Sequence, residues 1–262
     1  MSGATGWLLR SEQAYCLQLC EKDTLDFGIA YSNAELRDVP EANQFREVLV
    51  ENSADIPSAF GQGEAWFRDR GLTCWRWAPA GGVASAELAD FLTKNGFIEK
   101  KLTCLSLARW VDFSASSESI RILPARAMRA AFKSTLVQPE TNRACVSAKR
   151  REQVYDLRMD DAQLEMFVAL INNQPAGRCG LYQVGDIARV MDLTVLPGLP
   201  WEAVMRALLS HTLAMAKRLA MRQICTAIEG SDAVRLGLFG AAGFEPAGTI
   251  SEFDRLPNQS AT

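Results

Sequence analysis

Cysteine and histidine are the residues of this sequence that could most readily act as nucleophiles, bases or metal ligands. The chain has seven cysteines and one histidine, and no Cys-x-x-Cys motif occurs. Cys16 and Cys20 lie four residues apart on a predicted helix without further ligands nearby, so their spacing does not indicate a metal site. His211 falls on the apolar side of a longer predicted helix, where a packed imidazole is the simpler interpretation. The sequence also lacks a Ser-His-Asp arrangement and a Walker-type phosphate loop.

The composition is that of an ordinary globular protein, with 48% hydrophobic and 23% charged residues. A net charge of -3 argues against duplex nucleic acid as a partner, and the densest basic stretch, residues 149–151, is followed at once by Glu152. Residues 1–10 lack the features of a secretory signal, and no apolar run reaches the ~18 residues of a membrane helix. Scattered thiols are typical of the reducing cytoplasm, which we predict as the compartment. We expect a monomer or homodimer that binds neither nucleic acid nor membranes.

Hydrophobic periodicity and turn residues predict alternating helices and strands through most of the chain. In the first half, helices are predicted at residues 12–22, 43–52, 64–70 and 87–94, and strands at 72–78 and 97–107. In the second half, strands are predicted at residues 120–123, 163–171, 176–183, 187–195, 222–228 and 244–253. Helices are predicted there at 125–137, 200–219 and 232–241, while the polar segment 139–155 has no clear assignment.

This order of elements predicts an α/β (α+β) fold with a mixed, mostly antiparallel sheet. A meander is followed by a strand-helix-strand-helix-strand unit, and such a sheet needs helices on both faces. The segment Ser-Ala-Ser-Ser-Glu-Ser at residues 114–119 has the composition of a linker. It predicts two domains, residues 1–113 and 114–262.

A short internal repeat closes each half. In both, a predicted helix is followed by a glycine cap, Gly96 or Gly243, and then by an aromatic residue, Phe97 or Phe244, that begins a strand. The repeat predicts the same sheet topology in each half, in two sheets that pack together.

The second half resembles a domain of the GNAT N-acetyltransferase superfamily over residues 119–255. The matching stretches are LEMFVALINNQPAGRCGLYQVGD, IARVMDLTVLP, AVMRALLSHTLAMAKRLA and LGLFGAAGFEPAGTI, in that order. The first half, through WFRDRGLTCWRWAP and LADFLTKNGFIEKKLTCLSL, resembles the degenerate N-terminal half of tandem GNAT proteins. The resemblance implies a GNAT-type sheet present twice.

The resemblance also implies a binding cleft for acetyl-CoA, with no metal. In the family, two neighbouring strands splay apart around the pantetheine arm, and the loop that follows opens a helix whose N–H groups hold the pyrophosphate. The corresponding residues here are Leu193, Thr194 and Val195 on the strand, Trp201, Glu202, Ala203, Val204 and Met205 at the helix start, and Asp232 and Phe239 on the next helix.

The helix-opening loop departs from the family pattern Gln/Arg-x-x-Gly-x-Gly/Ala. Its three motif positions are occupied here by Pro200, Ala203 and Met205. Pro200 has no N–H to donate, Met205 adds a side chain where the phosphate should approach closely, and Glu202 brings a negative charge. The stretch Leu-Pro-Gly-Leu-Pro-Trp-Glu is also a good helix start that needs no ligand to explain it. We therefore expect weak acetyl-CoA binding.

Two further positions bear on catalysis. In the family an Asn begins the next helix and a Tyr near its end protonates the departing thiolate; here the positions are Asp232, which can cap the helix, and Phe239, which cannot donate a proton. A carboxylate base would remove the amine proton, directly or through water. Asp192, at the end of the cleft strand, is the first candidate, and Glu229, after the next strand, is the second.

Two functions follow. One is an N-acyltransferase that passes the acyl group of acetyl-CoA, or another acyl-CoA, directly to a small amine without an acyl-enzyme. The other is a catalytically inactive GNAT-fold module that binds a ligand or a protein. The altered loop and Phe239 favour the second function, whereas the ordered strand-loop-helix unit is compatible with the first.

Overall fold

The computed structural model describes residues 3–113, 119–136 and 148–255. Its α-helices are α1 Ala4–Leu17, α2 Ile56–Arg68, α3 Ala86–Lys94, α4 Arg129–Ser134, α5 Ala148–Met159, α6 Trp201–Arg218 and α7 Ala233–Ala241. Its strands are β1 Glu21–Leu25, β2 Gly28–Ser32, β3 Gln44–Val48, β4 Arg76–Pro79, β5 Phe97–Leu107, β6 Ile120–Pro124, β7 Leu164–Ile171, β8 Gln174–Val184, β9 Ile187–Val195, β10 Gln223–Glu229 and β11 Phe244–Arg255. Most of the predicted linker, residues 114–118, and residues 137–147 with Cys145 lie outside the described residues.

All the strands belong to one continuous sheet, in the order β1-β2-β3-β4-β11-β5-β10-β9-β8-β7-β6. Neighbouring strands are antiparallel except for two parallel pairs, β3 with β4 and β9 with β10. The predicted α/β class with a mixed, mostly antiparallel sheet is confirmed. The prediction of two separate sheets packed together is wrong, because the halves join edge to edge.

The halves join by exchanging their last strands. Strand β5, which ends the first half, pairs with β10 of the second half, and β11, which ends the second half, pairs with β4 of the first. The two exchanged strands also pair with each other along their whole length, from Phe97 opposite Arg255 to Leu107 opposite Phe244. Backbone N–H and C=O groups that would be unpaired at a sheet edge are thereby hydrogen-bonded across the junction.

The repeat predicted from the sequence is present at both exchanged strands. Helix α3 precedes β5 and α7 precedes β11, and the intervening Gly96 and Gly243 have φ angles of 85° and 93°. Only glycine adopts this backbone without strain, so each helix is stopped and the chain turns directly into its strand.

A hydrophobic core lies on each side of the junction, and each includes a residue of the exchanged strand, Phe253 in the first half and Leu105 in the second. The core of the first half is rich in aromatic residues, with Phe45, Phe67 and Trp77 buried beneath α2 and α3. In the second half, α6 covers one face of the sheet with a stripe of aliphatic side chains that includes Leu208 and Leu209. Helix α1 covers the opposite face at the junction of the halves, because Leu8 packs with residues of β5, β10 and β11.

One predicted helix is a strand. Residues 43–52 were expected to be helical because Phe45 and Val48 follow the three-residue spacing of a helix face. Both side chains are buried, yet the segment forms β3, in which the register to β4 shifts by one residue between them. Glu47, with a φ of 53°, is the extra residue of this β-bulge. Because of the extra residue, Phe45 and Val48 lie on the same face of the strand although they are three residues apart.

The sequence also misplaced the first elements. Helix α1 begins and ends earlier than the predicted 12–22, and β1 and β2 were not predicted. Within the described residues, every helix is too short or too polar to span a bilayer, and no cluster of three or more His, Cys, Asp or Glu side chains could hold a metal ion.

Candidate functional site

A cleft opens where the parallel strands β9 and β10 diverge. They pair over only three residues, Ile187–Arg189 with Gln223–Cys225, although β9 continues to Val195 and β10 to Glu229. The diverging ends enclose a cavity of about 310 Å³. It is lined by Leu102, Arg178, Arg189, Val190, Met191, Asp192, Leu193, Thr194, Thr226, Ala227, Ile228, Glu229, Arg235 and Phe239. Because the pairing stops at Arg189, backbone groups of β9 on this side are available to a ligand.

A β-bulge at Asp192 bends the wall of the cleft. Asp192 has a φ of 52°, and two residues of β9, Asp192 and Leu193, stand opposite Cys179 of β8. An aspartate tolerates the left-handed backbone better than most residues, which explains the residue type at this position. The bulge bends β9 at a point beyond Arg189, where its pairing with β10 has already ended.

The Asp192 carboxylate is fully engaged by its neighbours. Arg178 donates to it twice, from Nε to Oδ2 at 2.5 Å and from Nη2 to Oδ1 at 2.9 Å. The phenol of Tyr155 donates to Oδ2 and Thr194 Oγ1 to Oδ1. Burial and the Asp192 charge raise the pKa of Tyr155 well above its ordinary value, so its proton stays in place as a donor. Each oxygen of the Asp192 carboxylate therefore already accepts two hydrogen bonds from within the protein.

The second candidate base, Glu229, lies at the end of β10 on the face covered by α1. Successive side chains of a strand point to opposite faces. Ile224 and Ile228 pack in the core under α6, whereas Cys225 and Ala227 pack with Leu8 of α1, so Glu229 falls on the α1 side. Its side chain lines the cavity and is partly exposed.

The opposite side of the cleft is formed by α7. Asp232 caps this helix by accepting a hydrogen bond from the backbone of Arg235 at 3.0 Å, as the sequence predicted. Phe239 is buried, meets Phe244 edge to face at 5.0 Å between ring centroids and lines the cavity. It therefore presents an apolar surface to the cavity and has no proton to donate.

The start of α6 lies apart from the residues that line the cavity. The helix follows Pro200, and no side chain among the described residues caps it. Trp201 and Glu202 are exposed, and Glu202 lies 3.9 Å from Arg206 one turn later. Ala203 is partly buried and Val204 fully buried.

Met205 differs from the expectation drawn from the loop pattern. Its side chain is buried and packs in the core of the second half with Leu208 and Leu209. The bulk of the side chain thus lies beneath the helix rather than ahead of its first turn. Val195, at the end of β9, also packs against this core and does not line the cavity.

Three arginines in the cleft were missed by sequence reasoning. Arg178 and Arg189 lie within largely buried strands, and Arg235 lies one turn before Phe239 on α7. A charged residue inside a buried strand is the signal that could have found the first two, because such residues are rarely buried without a partner. All three line the same cavity as Asp192 and Glu229.

Cys179, Cys225 and His211 lie in packed surroundings, as the sequence predicted. Burial raises the pKa of Cys179 and of Cys225 to about 12, so both stay protonated at neutral pH. His211 packs edge to face on Phe167 at 4.7 Å, and burial together with Arg218 lowers its pKa. His211 does not line the cavity.

This architecture is the GNAT N-acetyltransferase fold in its tandem form: each half has a parallel strand pair joined through a helix, and the pair of the second half diverges. The chain is similar to a protein of unknown function from Staphylococcus epidermidis, at a TM-score of 0.70 and 11% identity over 90% of this chain and 94% of that one. It is similar to a GCN5-related N-acetyltransferase from Kribbella flavida, at a TM-score of 0.65 and 12% identity over 97% and 96% of the two chains. A tandem GNAT protein from the clavulanic acid biosynthesis pathway matches at a TM-score of 0.58 and 13% identity over 95% and 94%. No protein-family model and no curated protein matches the chain.

Proposed function

We propose that the protein is an N-acyltransferase that passes an acyl group from an acyl-CoA to a small amine bound in the β9–β10 cleft. The observation that carries the proposal is the divergence of these strands after Arg189. Within the part of the chain that the structure describes, β9 beyond Arg189 and β10 beyond Cys225 do not pair with each other, and the cavity, Glu229 and the end of β9 meet there. A cavity of about 310 Å³ suits a small molecule or the end of a longer one.

The residues of the cleft fit the acyl end of such a donor. The backbone of Leu193 and Thr194 at the diverging end of β9 offers hydrogen bonds to an extended amide chain, and Phe239 offers apolar contact. At the start of α6, the N–H groups of Trp201, Glu202 and Ala203 precede the first bond of the helix, from Val204 to Pro200. Such N–H groups attract phosphate, but the exposed Glu202 beside them repels it.

In the proposed reaction Glu229 is the base and Asp192 a positioning residue. Glu229 takes the proton that the amine loses as its nitrogen displaces the thiol of CoA from the acyl carbon, so that an amide and free CoA are formed. Asp192 keeps the bulge of β9 in shape through Arg178, Tyr155 and Thr194. This reverses the order of the two bases expected from the sequence, because hydrogen bonds occupy both oxygens of Asp192.

Calorimetry with acetyl-CoA and a thiol-release assay with amines test this proposal. Saturation at about 100 times the dissociation constant should stabilise the fold by ~2.7 kcal/mol. Loss of a general base lowers turnover by a factor on the order of 10²–10⁴, so Glu229→Gln should show this loss while still binding acetyl-CoA. The exposed Glu245→Gln is the control and should behave as wild type. Absence of thiol release with every amine tested would count against the transferase.

A second function, a GNAT-fold module that binds a ligand without catalysis, has specific support. The Asp192 carboxylate is occupied, Phe239 supplies no proton, and Glu202 adds an exposed negative charge to the first turn of α6. For this function, small molecules should stabilise the protein without any thiol release.

A further inference from the structure

Helix α5 lies between the two halves and presents a different stripe of side chains to each. Arg150, Val154 and Arg158 follow one another at four-residue intervals, so they lie on the same side of the helix. All three contact the first half of the chain. Tyr155 and Met159 form the neighbouring stripe, which packs against the second half. The helix therefore connects the halves independently of the exchanged strands β5 and β11.

The first stripe is attached to the first half by three kinds of contact. Arg150 forms an ion pair with Asp38, from Nε to Oδ1 at 2.8 Å. Val154 packs against a buried apolar cluster of the first half. That cluster consists of Leu19, Leu36, Val39 and Ala42. Arg158 is buried over the ring of Tyr15 and donates to the backbone carbonyl of the same residue at 3.0 Å. Contacts spread over two helical turns fix both the position of α5 and its rotation about its own axis.

The neighbouring stripe connects α5 to the wall of the cleft. The phenol of Tyr155 donates to Oδ2 of Asp192 at the β9 bulge. The ring of Tyr155 meets Phe132 edge to face, at 5.3 Å between ring centroids. Asp192 lines the cavity, and Arg178 of the adjacent strand binds the same carboxylate. Through Tyr155, the position of α5 therefore bears on the wall of the cleft.

The two stripes of α5 have to move together. Val154 and Tyr155 are neighbours on one helix, so a shift of either residue shifts the other. A hydrogen bond from a phenol to a carboxylate is made at about 2.5–2.7 Å and weakens steeply beyond that, so a displacement of α5 by about 1 Å breaks it. The bulge is sensitive to such a loss, because β9 pairs with β10 only as far as Arg189 and beyond that point is held by β8.

We propose that the first half is the platform that fixes α5, and that Tyr155 passes this placement on to the Asp192 bulge and so to the shape of the cleft. Tyr155 is thereby a positioning residue. The proposal gives a role to a half whose own parallel strands, β3 and β4, stay paired as far as Val48 opposite Pro79. Its consequence for turnover rests on the proposed transferase function, whereas its consequence for the bulge does not.

Hydrogen exchange of the full chain, measured by mass spectrometry, tests the role of Tyr155. Tyr155→Phe keeps the ring against Phe132 but removes the hydrogen bond to Asp192. Residues 190–195 should then exchange roughly 10- to 100-fold faster, as expected for the loss of a hydrogen bond to a charged group. Helix α5, still held by its other stripe, should change less, and β4 of the first half should exchange as in wild type.

A double variant tests the role of the first half. Asp38→Asn/Val154→Ala removes the ion pair with α5 and part of the apolar contact, and both changes are mild enough for the chain to fold. Exchange should rise about 5-fold or more in α5 and in residues 190–195 alike. Asp90→Asn/Leu157→Ala is the matched control, because it removes an exposed ion pair of α3 and an exposed leucine of α5. The control should leave residues 190–195 unchanged.

Combining Tyr155→Phe with the double variant shows whether the two steps act in series. If the first half acts on the bulge through Tyr155, residues 190–195 should exchange no faster in the combined variant than in Tyr155→Phe alone. Multiplied effects would overturn the proposal. So would unchanged exchange of residues 190–195 while α5 exchanges faster, or an equal rise in β4, which would indicate a general loss of stability.

Thiol release with acetyl-CoA and amines separates this proposal from the transferase function. Tyr155→Phe should lower kcat several-fold with a smaller change in the KM for acetyl-CoA, since a misplaced cleft wall affects the reacting geometry more than binding. If no amine releases thiol from wild type, the transferase fails, and the exchange measurements alone decide the role of α5. If thiol is released but exchange at residues 190–195 is the same in every variant, the transferase stands and the role of α5 is overturned.

Discussion

Glu47 on β3 and Asp192 on β9 have the same left-handed backbone, with φ angles of 53° and 52°. Each is the extra residue of a β-bulge on the first strand of a parallel pair. The consequences differ, because β3 stays paired with β4 beyond the bulge, at Val48 opposite Pro79, whereas β9 has left β10 before its bulge begins. The repeated geometry thus opens a cleft only in the second half.

The first prediction compares these two bulges. Asp192→Asn retains a residue that tolerates the backbone but leaves Arg178 buried without its anion. Breaking a buried pair in this way costs about 3–5 kcal/mol of unfolding free energy. Glu47→Asn is the matched control: Glu47 is exposed, with Gln13 as a contact, so the change should stay within about 0.5 kcal/mol. Urea unfolding measures both, and similar losses in the two variants would contradict the role given to Arg178.

The second prediction concerns the loss of folding stability at low pH. Burial alone raises the pKa of Asp254, but Arg76 and Lys100 lower it to about 2, and the pKa of Glu12 is also lowered to about 2. A carboxyl whose pKa is lower in the folded state stabilises the fold above its unfolded pKa and loses that contribution as pH falls toward the folded pKa. Each group should therefore contribute on the order of 2 kcal/mol that disappears between about pH 4.5 and pH 2.

Urea titrations across this range test the acid prediction. Asp254→Asn should be less stable at neutral pH and should show a shallower loss of stability below pH 4.5. If the stability of Asp254→Asn fell with pH as steeply as that of wild type, Asp254 would not be the group that destabilises the protein in acid. Glu12→Gln provides the same comparison for the other carboxyl.

Much of the fold could be predicted from local sequence. Strand β5 was predicted with its observed bounds, and helices α3 and α6 to within two residues, because periodicity and the Gly96 cap specify them without reference to distant residues. The exchange of β5 and β11 could not be predicted. Both strands begin with the same glycine-aromatic pair. Their alternation of apolar and polar residues is compatible with a neighbouring strand from either half. Strand β3 was missed because its bulge interrupts the alternation of buried and exposed residues that is typical of a strand.

The candidate site was predicted only in part. Asp192, Glu229, Leu193, Thr194 and Phe239 were expected together, and all line one cavity. The hydrogen bonds that occupy the Asp192 carboxylate come from Arg178 on the adjacent strand and Tyr155 on α5, and no spacing in the sequence reveals these contacts. The ion pair of Arg189 with Glu12 likewise joins residues that are far apart in the chain.

The third prediction is that transfer occurs without an acyl-enzyme. Burial raises the pKa of the Cys179 and Cys225 thiols to about 12, and a buried thiol is a poor nucleophile. Alanine at either position should leave any activity within a few-fold. Mass spectrometry during turnover should detect no acetylated cysteine, and its detection would overturn direct attack. Iodoacetamide should not modify either thiol in the folded protein.

The last prediction concerns the start of α6. Relative to an ordinary family loop, Pro200 removes one N–H, worth about 1.5–3 kcal/mol when it binds a charged group. Glu202 adds an unfavourable charge of about 0.3–1 kcal/mol at an exposed helix end. Together they should weaken acetyl-CoA binding roughly 30- to 1000-fold, so wild type should bind weakly or not detectably.

A double variant, Pro200→Arg/Glu202→Arg, tests the α6 prediction by calorimetry against acetyl-CoA. Met205 is left unchanged because its side chain fills the core, and truncating a buried methionine costs about 2–5 kcal/mol. The variant should bind markedly more tightly, and the gain should shrink as salt rises, since charge attraction to phosphate is screened. Glu87→Arg is the matched control, because Glu87 occupies the first turn of α3, away from the cleft, and should gain nothing. Low-micromolar binding by wild type, or an equal gain in Glu87→Arg, would show that the loop does not limit affinity; acetyl-CoA would then be held mainly by the backbone of β9, which strengthens the acyltransferase proposal.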